Sequence, residues 1–218
     1  MTTLPNVIAA ITADGLAVLM NQPPTATLSE LMGVVYQEWL NKKAKEAHAI
    51  LLTEISKGKR LSTDVDPNNF FGLLHRYLNA TKQGAARQNL RLMAQVLAGS
   101  LESDCPFTPD ELTSNAELVA SLSRNEIKFL ATIWKCHQEC QIDNGGVHVP
   151  ICAHNKTLEL MVPKILNNEY EFFALGGALT RTGLIVAQSV WDGTRFDVTP
   201  RLAQLVRLCD LESALSSE

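Results

Sequence analysis

The sequence is poor in aromatic residues and has no excess of basic charge. Phe, Trp and Tyr make up 6% of its 218 residues, whereas Leu, Ala, Glu and Gln are abundant, and this balance favours a mostly helical protein. The formal net charge is -4, with ten Lys and Arg against twelve Asp and Glu in residues 1–122, and nine against eleven in residues 123–218. Neither half therefore attracts nucleic acid or an anionic membrane through its overall charge.

Sequence motifs of several enzyme classes are also absent. The chain has no GxxxxGK[ST] phosphate-binding loop, no GxGxxG dinucleotide motif, no GxSxG nucleophile elbow and no HExxH helix. His48 and His75 lie in helical stretches, where we expect structural roles and not general-base catalysis. We therefore predict that the protein is not an enzyme, and we keep a small enzyme without a visible motif as a third hypothesis.

No uninterrupted apolar run is long enough to predict a membrane span. The first twenty residues are largely apolar, but Asp14 interrupts them and they lack the basic start of a signal peptide. We interpret them as an N-terminal core helix, and we expect a cytoplasmic protein without a membrane partner. Five cysteines are an odd number and are unevenly spaced, which favours free thiols over a disulfide scaffold.

Residues 1–105 show helical periodicity and predict an N-terminal helical bundle of four or five helices. After the first helix, the apolar spacing predicts a long helix over 28–56, a short one in FFGLLHRYL and another over 84–101. The helix over 28–56 is longer than is usual in globular proteins, so we expect it to pack against the rest of the chain or in a homodimer. The linker ESDCPF places a domain boundary in the range 103–122, with a second domain over 106–218.

The C-terminal half begins with two capping boxes, TPDE and SRNE, in which a Thr or Ser precedes a Glu by three residues. Helical patterns then predict helices over 124–140, 156–167 and 168–182. The Thr-Pro pair in VTPRLAQLV begins one more helix.

Between the last two of these helices, LIVAQSVWDGTRFDVT predicts a β-hairpin, because two β-rich runs flank Asp192-Gly193. A two-residue turn at Asp192-Gly193 pairs Ala187 with Val198. The resulting alternation predicts one apolar face on the hairpin. The residues of this face are Ile185, Ala187, Trp191, Phe196 and Val198.

The order of these elements, and the run LGGALTRTGLI (Leu175–Ile185) followed by the WDG hairpin and VTPRLAQLV, resembles the winged helix-turn-helix superfamily. The resemblance covers residues 123–214, and residues 1–120 resemble no family. It implies a mostly α fold in which a helical bundle precedes a winged-helix domain.

In DNA-binding members of this superfamily, the helix before the Gly-Leu-Ile exit enters the major groove and the wing touches the DNA backbone. The resemblance therefore implies a recognition helix that ends at Arg181 and a wing over 184–198. The implied nucleic-acid contacts are Lys164, Thr180, Arg181 and Arg195.

Several residues depart from the DNA-binding pattern. Gly176-Gly177 lies in the middle of the recognition helix, where the pair either breaks the helix or lets another element approach closely. The wing offers Arg195 as its one basic residue. Acidic residues that would repel phosphate lie on the helix and the wing: Glu169, Glu171, Asp192 and Asp197. We therefore predict a non-catalytic protein-interaction or oligomerisation module, with a protein partner or a homodimer, and a DNA-binding regulator as the alternative.

The stretch CHQECQIDNGGVHVPICAH, residues 136–154, holds three cysteines and three histidines and raises the question of a zinc site. Cys136 and Cys140 continue the apolar stripe of their helix, which favours packing. VHVPICAH alternates apolar and polar residues and predicts a short edge strand. We expect no cofactor, with a structural zinc as the alternative; its ligands would come from Cys136, Cys140, His148, Cys152 and His154.

Overall fold

In a computed structural model of the chain, the described residues are 30–57, 67–101, 107–143, 149–191 and 193–215. They form nine helices and one antiparallel hairpin, which confirms the predicted mostly α fold class. Within these residues, no helix is both long and apolar enough to cross a membrane. The predicted N-terminal helix, Cys105 in the linker, and His148 lie outside the described residues.

The chain divides into two compact units, Met1–Ser121 and Leu122–Glu218. Unit 1 contains α1 (Glu30–Lys57), α2 (Pro67–Lys82), α3 (Arg87–Gly99) and α4 (Pro109–Ser121). Unit 2 contains α5 (Arg124–Asp143), α6 (Val149–Met161), α7 (Glu169–Thr180), β1 (Ile185–Val190), β2 (Gly193–Val198), α8 (Pro200–Leu208) and α9 (Leu211–Leu215).

The division falls after α4, whereas the sequence places the start of the second domain before it, at residue 106. Helix α4 contacts α2 and α3, and it buries Leu112, Ala116 and Val119. The buried Asn89 on α3 donates a hydrogen bond of 2.7 Å to the carbonyl oxygen of Val119. This helix therefore completes the core of unit 1.

Helix α1 packs within its own unit along the apolar stripe that the sequence predicts. Ala44, Ala47, Leu51 and Ile55 are buried, and the helix contacts α2 and α3. The buried hydroxyl of Tyr77 on α2 donates a hydrogen bond of 2.7 Å to the carbonyl oxygen of Ala47. The segment of α1 that carries this stripe therefore packs against other helices of the same chain.

A buried carboxylate ties α1 to α3. Glu54 accepts hydrogen bonds from Lys57 at 2.8 Å, Arg91 at 3.0 Å and Gln95 at 3.2 Å. Burial alone would raise the pKa of Glu54, but the three donors outweigh burial and lower it below its usual range. Glu54 is therefore ionised in the folded protein.

The first helices of unit 2 begin as predicted, except for α6. Ser123 and Glu126 form the capping box, with the Ser123 N–H donating to the Glu126 carboxylate at 2.7 Å.

The strand predicted for VHVPICAH is wrong, because α6 begins at Val149. Pro150 is tolerated in the first turn, where its missing N–H has no helical partner. Buried residues then recur every four positions: Val149, Ala153, Thr157 and Met161.

The predicted hairpin is present, but its register differs by two residues. Ala187 pairs with Phe196 and Val190 pairs with Gly193, so Gly193 belongs to β2 and not to the turn. Phe196 is buried, whereas Ala187 is exposed and Trp191 is almost fully exposed, so the prediction that Ala187 and Trp191 lie on the packed face is wrong. The Asp192-Gly193 sequence is compatible with both pairings, so the turn signal alone does not determine the register.

Close packing explains one member of the Gly176-Gly177 pair in α7. A Cβ atom at Gly176 would overlap with the ring of Phe196, whereas a Cβ atom at Gly177 would meet no atom within 4 Å. The predicted close approach of another element is therefore confirmed at Gly176, and that element is β2.

We expect Gly176→Ala and Gly177→Ala to shift stability in opposite directions. Gly176→Ala should destabilise unit 2 by about 1–3 kcal/mol through overpacking. Gly177→Ala should stabilise it by up to about 1 kcal/mol, because alanine favours the helix. Thermal unfolding of both variants checks this, and equal shifts of the two melting temperatures would contradict the packing at Gly176.

We expect Glu54→Gln to lower the free energy of unfolding of unit 1 by about 1–3 kcal/mol at neutral pH. Because the folded pKa of Glu54 is lowered, its contribution is present above the unfolded pKa of about 4.3 and is lost as the pH falls below it. Urea denaturation at several pH values should show the two proteins converging in acid. Glu117→Gln, which removes the exposed pair with Arg76, is the control, with an expected cost of about 0–1 kcal/mol.

Candidate functional site

The centre of unit 2 is a cluster of rings around Phe196. Its ring centroid lies 5.9 Å from that of Phe129, 6.0 Å from that of Phe172 and 6.1 Å from that of Phe173. Phe129 comes from α5, the other two from α7, and Phe196 itself from β2. This cluster holds the hairpin against α5 and α7, and so positions the surfaces that both elements present.

His154 on α6 joins the cluster and also binds the backbone of the hairpin. Its ring centroid lies 6.0 Å from that of Phe196, and its Nδ1 accepts the backbone N–H of Phe196 at 3.2 Å. Burial, and secondarily the charge of Arg195, lower the pKa of His154. The ring is therefore neutral near pH 7, as its role of acceptor requires.

The side of α7 that faces away from the ring cluster carries no charged residue between the two ends of the helix. Its exposed side chains recur at helical spacing and form what we call the outer face of α7: Tyr170, Ala174, Gly177, Ala178 and Arg181. Tyr170, in the first turn, is 87% exposed, and the central three residues are small. A partner backbone could therefore approach this face closely.

The hairpin adds a second exposed aromatic residue. Trp191 follows the end of β1 and is 99% exposed. The exposed residues of β1 before it are uncharged: Val186, Ala187, Gln188 and Ser189. Strand β1 also contacts α7.

Acidic side chains near these surfaces serve the fold. Glu171 accepts hydrogen bonds from the backbone and the side chain of Asn167 at 3.0 and 2.8 Å, at the start of α7. Asp197 accepts the backbone N–H of Val198 at 2.8 Å, and its other oxygen lies 3.4 Å from the Gln188 amide. Glu171 and Asp197, which the sequence suggests would repel phosphate, are therefore both hydrogen-bonded within the protein.

The four implied nucleic-acid contacts lie in different environments. Lys164 is exposed in the segment between α6 and α7. The Thr180 hydroxyl donates to the carbonyl oxygen of Gly177 at 2.7 Å. The Arg181 guanidinium is 55% exposed and donates at 2.7 Å to the buried carboxylate of Glu126, whereas Arg195 is half-buried near His154. The charge of Arg181 is thus already opposed within the protein.

The cysteines of the candidate zinc site are arranged differently from the prediction. Cys140 and Cys152 form a disulfide between α5 and α6, so the prediction of free thiols is wrong for this pair. Cys136 is a buried free thiol, and His154 is bound to Phe196. In the part of the chain that the structure describes, no group of three or more His, Cys, Asp and Glu side chains could hold a metal ion.

Two contacts of this region had no signal in the sequence. The Cys140–Cys152 bond joins residues 12 positions apart, and the sequence does not indicate which cysteines would pair. His137 is mostly covered, with its Nδ1 3.7 Å from the carboxylate of Asp197. Its ring stacks on Trp134, with centroids 6.1 Å apart.

We expect unit 2 to lose stability as the pH falls below about 6.5, the unfolded pKa of histidine. The lowered folded pKa of His154 means that the unfolded state binds the proton more readily, so acid favours unfolding. His154→Asn, which keeps an acceptor near Nδ1 but does not titrate, should reduce this acid sensitivity. His154→Leu should cost about 1–3 kcal/mol at pH 7.5, because the Phe196 N–H loses its acceptor. Equal pH profiles of melting temperature for wild type and His154→Asn would contradict this role.

Comparisons with known proteins identify no relative of the chain. No protein-family model matches it, and neither the curated proteins nor the solved structures contain a significant match. The winged-helix resemblance therefore rests on the residues of unit 2 themselves, and a proposal of function rests on its geometry.

Proposed function

We propose that the chain is a non-catalytic protein-interaction module and that unit 2 binds its partner through the outer face of α7 and Trp191. The observation that carries this proposal is the almost complete exposure of two large aromatic side chains, Tyr170 at 87% and Trp191 at 99%. Tyr and Trp are the residue types most enriched among the energetically dominant contacts of protein interfaces.

The chemistry of the outer face of α7 supports the same function. Ala174, Gly177 and Ala178 leave the middle of α7 smooth and uncharged, and charged residues are depleted at the centres of protein interfaces. Arg181 closes one end of this face, where its guanidinium can contact both Glu126 and a partner. Such a face suits an apolar or weakly acidic surface of another protein or of a second copy of this chain.

The same residues count against DNA as the partner. A recognition helix that reads DNA presents polar or basic side chains to base edges and phosphates, whereas the centre of this outer face has none. Glu169 and Glu171 lie at the start of α7, and Arg181 is opposed by Glu126. The order of α5, α6, α7, hairpin and α8 resembles that of a winged helix, and we propose that it serves here as a scaffold for protein binding.

Site-specific photo-crosslinking tests this proposal in cells that express the full chain. A photoreactive phenylalanine replaces Tyr170 or Trp191, and a third version carries it at Ile142, which is 83% exposed at the end of α5. We expect protein adducts at 170 and 191 that are much weaker at 142. Adducts at twice the chain mass would identify self-association, and other masses would identify a different protein.

Two outcomes would overturn the proposal. Equal labelling at all three positions would show that exposure alone accounts for the adducts. Adducts that disappear on nuclease treatment would favour the DNA-binding alternative.

A further inference from the structure

The disulfide between Cys140 and Cys152 lies where two helices of unit 2 meet. Cys140 is buried near the end of α5, and Cys152 is half-buried in the first turns of α6. Their Cα atoms are 6.0 Å apart, a usual separation for a disulfide. The bond therefore fixes the start of α6 to α5 across residues 144–148.

A third cysteine lies beside this pair but is unsuited to exchange with it. Cys136 is one helical turn before Cys140 and packs in the same apolar cluster with Val149 and Ala153. Burial raises the pKa of the Cys136 thiol, and the thiolate is the nucleophile in disulfide exchange. The pair can therefore open and close without transferring its bond to Cys136.

The turn that the disulfide holds is also the turn that anchors the hairpin. His154 lies two residues after Cys152, and its Nδ1 accepts the Phe196 N–H. Helix α6 further contacts β2. A change in the position or mobility of the first turns of α6 would therefore reach β2 directly.

We infer that Cys140 and Cys152 form a reversible redox pair that controls how firmly α6 holds the hairpin. A dithiol reductant supplies two electrons and two protons, the S–S bond breaks to give two thiols, and the reductant becomes a disulfide. The partial exposure of Cys152 gives the reductant access to one sulfur. The ring cluster around Phe196 includes neither cysteine, so we expect this cluster to stay packed in both states.

Differential alkylation of the native full chain tests the redox step. Trypsin releases a peptide from Cys136 to Lys156, which contains Cys136, Cys140 and Cys152. After oxidation, quenching and unfolding, one cysteine of this peptide should react with the alkylating reagent. After incubation of the native protein with a dithiol, three should react, and reoxidation should restore one.

Hydrogen exchange of the hairpin amides tests the coupling. We expect the Phe196 amide to exchange about tenfold faster in the reduced than in the oxidised protein, because local opening becomes easier. Cys152→Ala should show fast exchange under both conditions. Cys136→Ala, the matched control, should respond to the dithiol as the wild type does.

Three results would overturn the inference. The bond would be purely structural if the dithiol reduced it only after unfolding. The pair would not be a redox pair if all three cysteines reacted after oxidation. The hairpin would not be coupled to it if wild-type exchange were the same in both redox states, a comparison that does not depend on any variant folding.

Discussion

The packing of Phe196 is the contact on which unit 2 depends. Its side chain fills a space bounded by rings from α5, α6 and α7, and its backbone N–H is bound by His154. Burying one such side chain contributes about 1.5–3 kcal/mol, and this burial joins the hairpin to three helices. This packing requires glycine at position 176 and a neutral imidazole at position 154. The packed ring of Phe196 therefore explains the residues at both positions.

The same arrangement determines what the unit presents to its surroundings. With Phe172 and Gly176 turned inward, α7 turns its small residues outward. Two carboxylates near this face have partners in the protein itself: Glu126 binds Arg181 and caps α5, and Glu171 binds Asn167 at the start of α7. The surface that remains available to a partner consists of a mostly uncharged face and two exposed aromatic rings. This surface is the basis for proposing a protein as the ligand.

Much of the fold could be predicted from the sequence because its signals are local. Capping boxes and four-residue apolar spacing depend on neighbours within one or two turns, and they predicted the start of α5 and the packed stripe of α1. The hairpin register could not be predicted, because Asp192-Gly193 permits two pairings and the turn signal alone does not select between them. The same holds for α6, where the alternation in VHVPI concealed a helical repeat that continues to Met161.

The candidate site was predictable only in part, since its decisive contacts join distant residues. The glycine pair in α7 indicated a close approach but not its partner, 20 residues later. The opposition of Arg181 by Glu126, 55 positions apart, and the Cys140–Cys152 bond had no sequence signal. Zinc ligation and free thiols were reasonable expectations from spacing, and the helical conformation of α6 is what brings Cys152 to Cys140 instead.

The proposed function has unit 2 bind protein and not DNA. The most direct measurement is the affinity of the full chain for random-sequence duplex DNA over a series of salt concentrations. We expect no measurable binding even at low salt. Binding that weakens steeply with salt, and that is reduced by combined Arg181→Ala and Arg195→Ala substitutions, would contradict it and establish a DNA-binding surface.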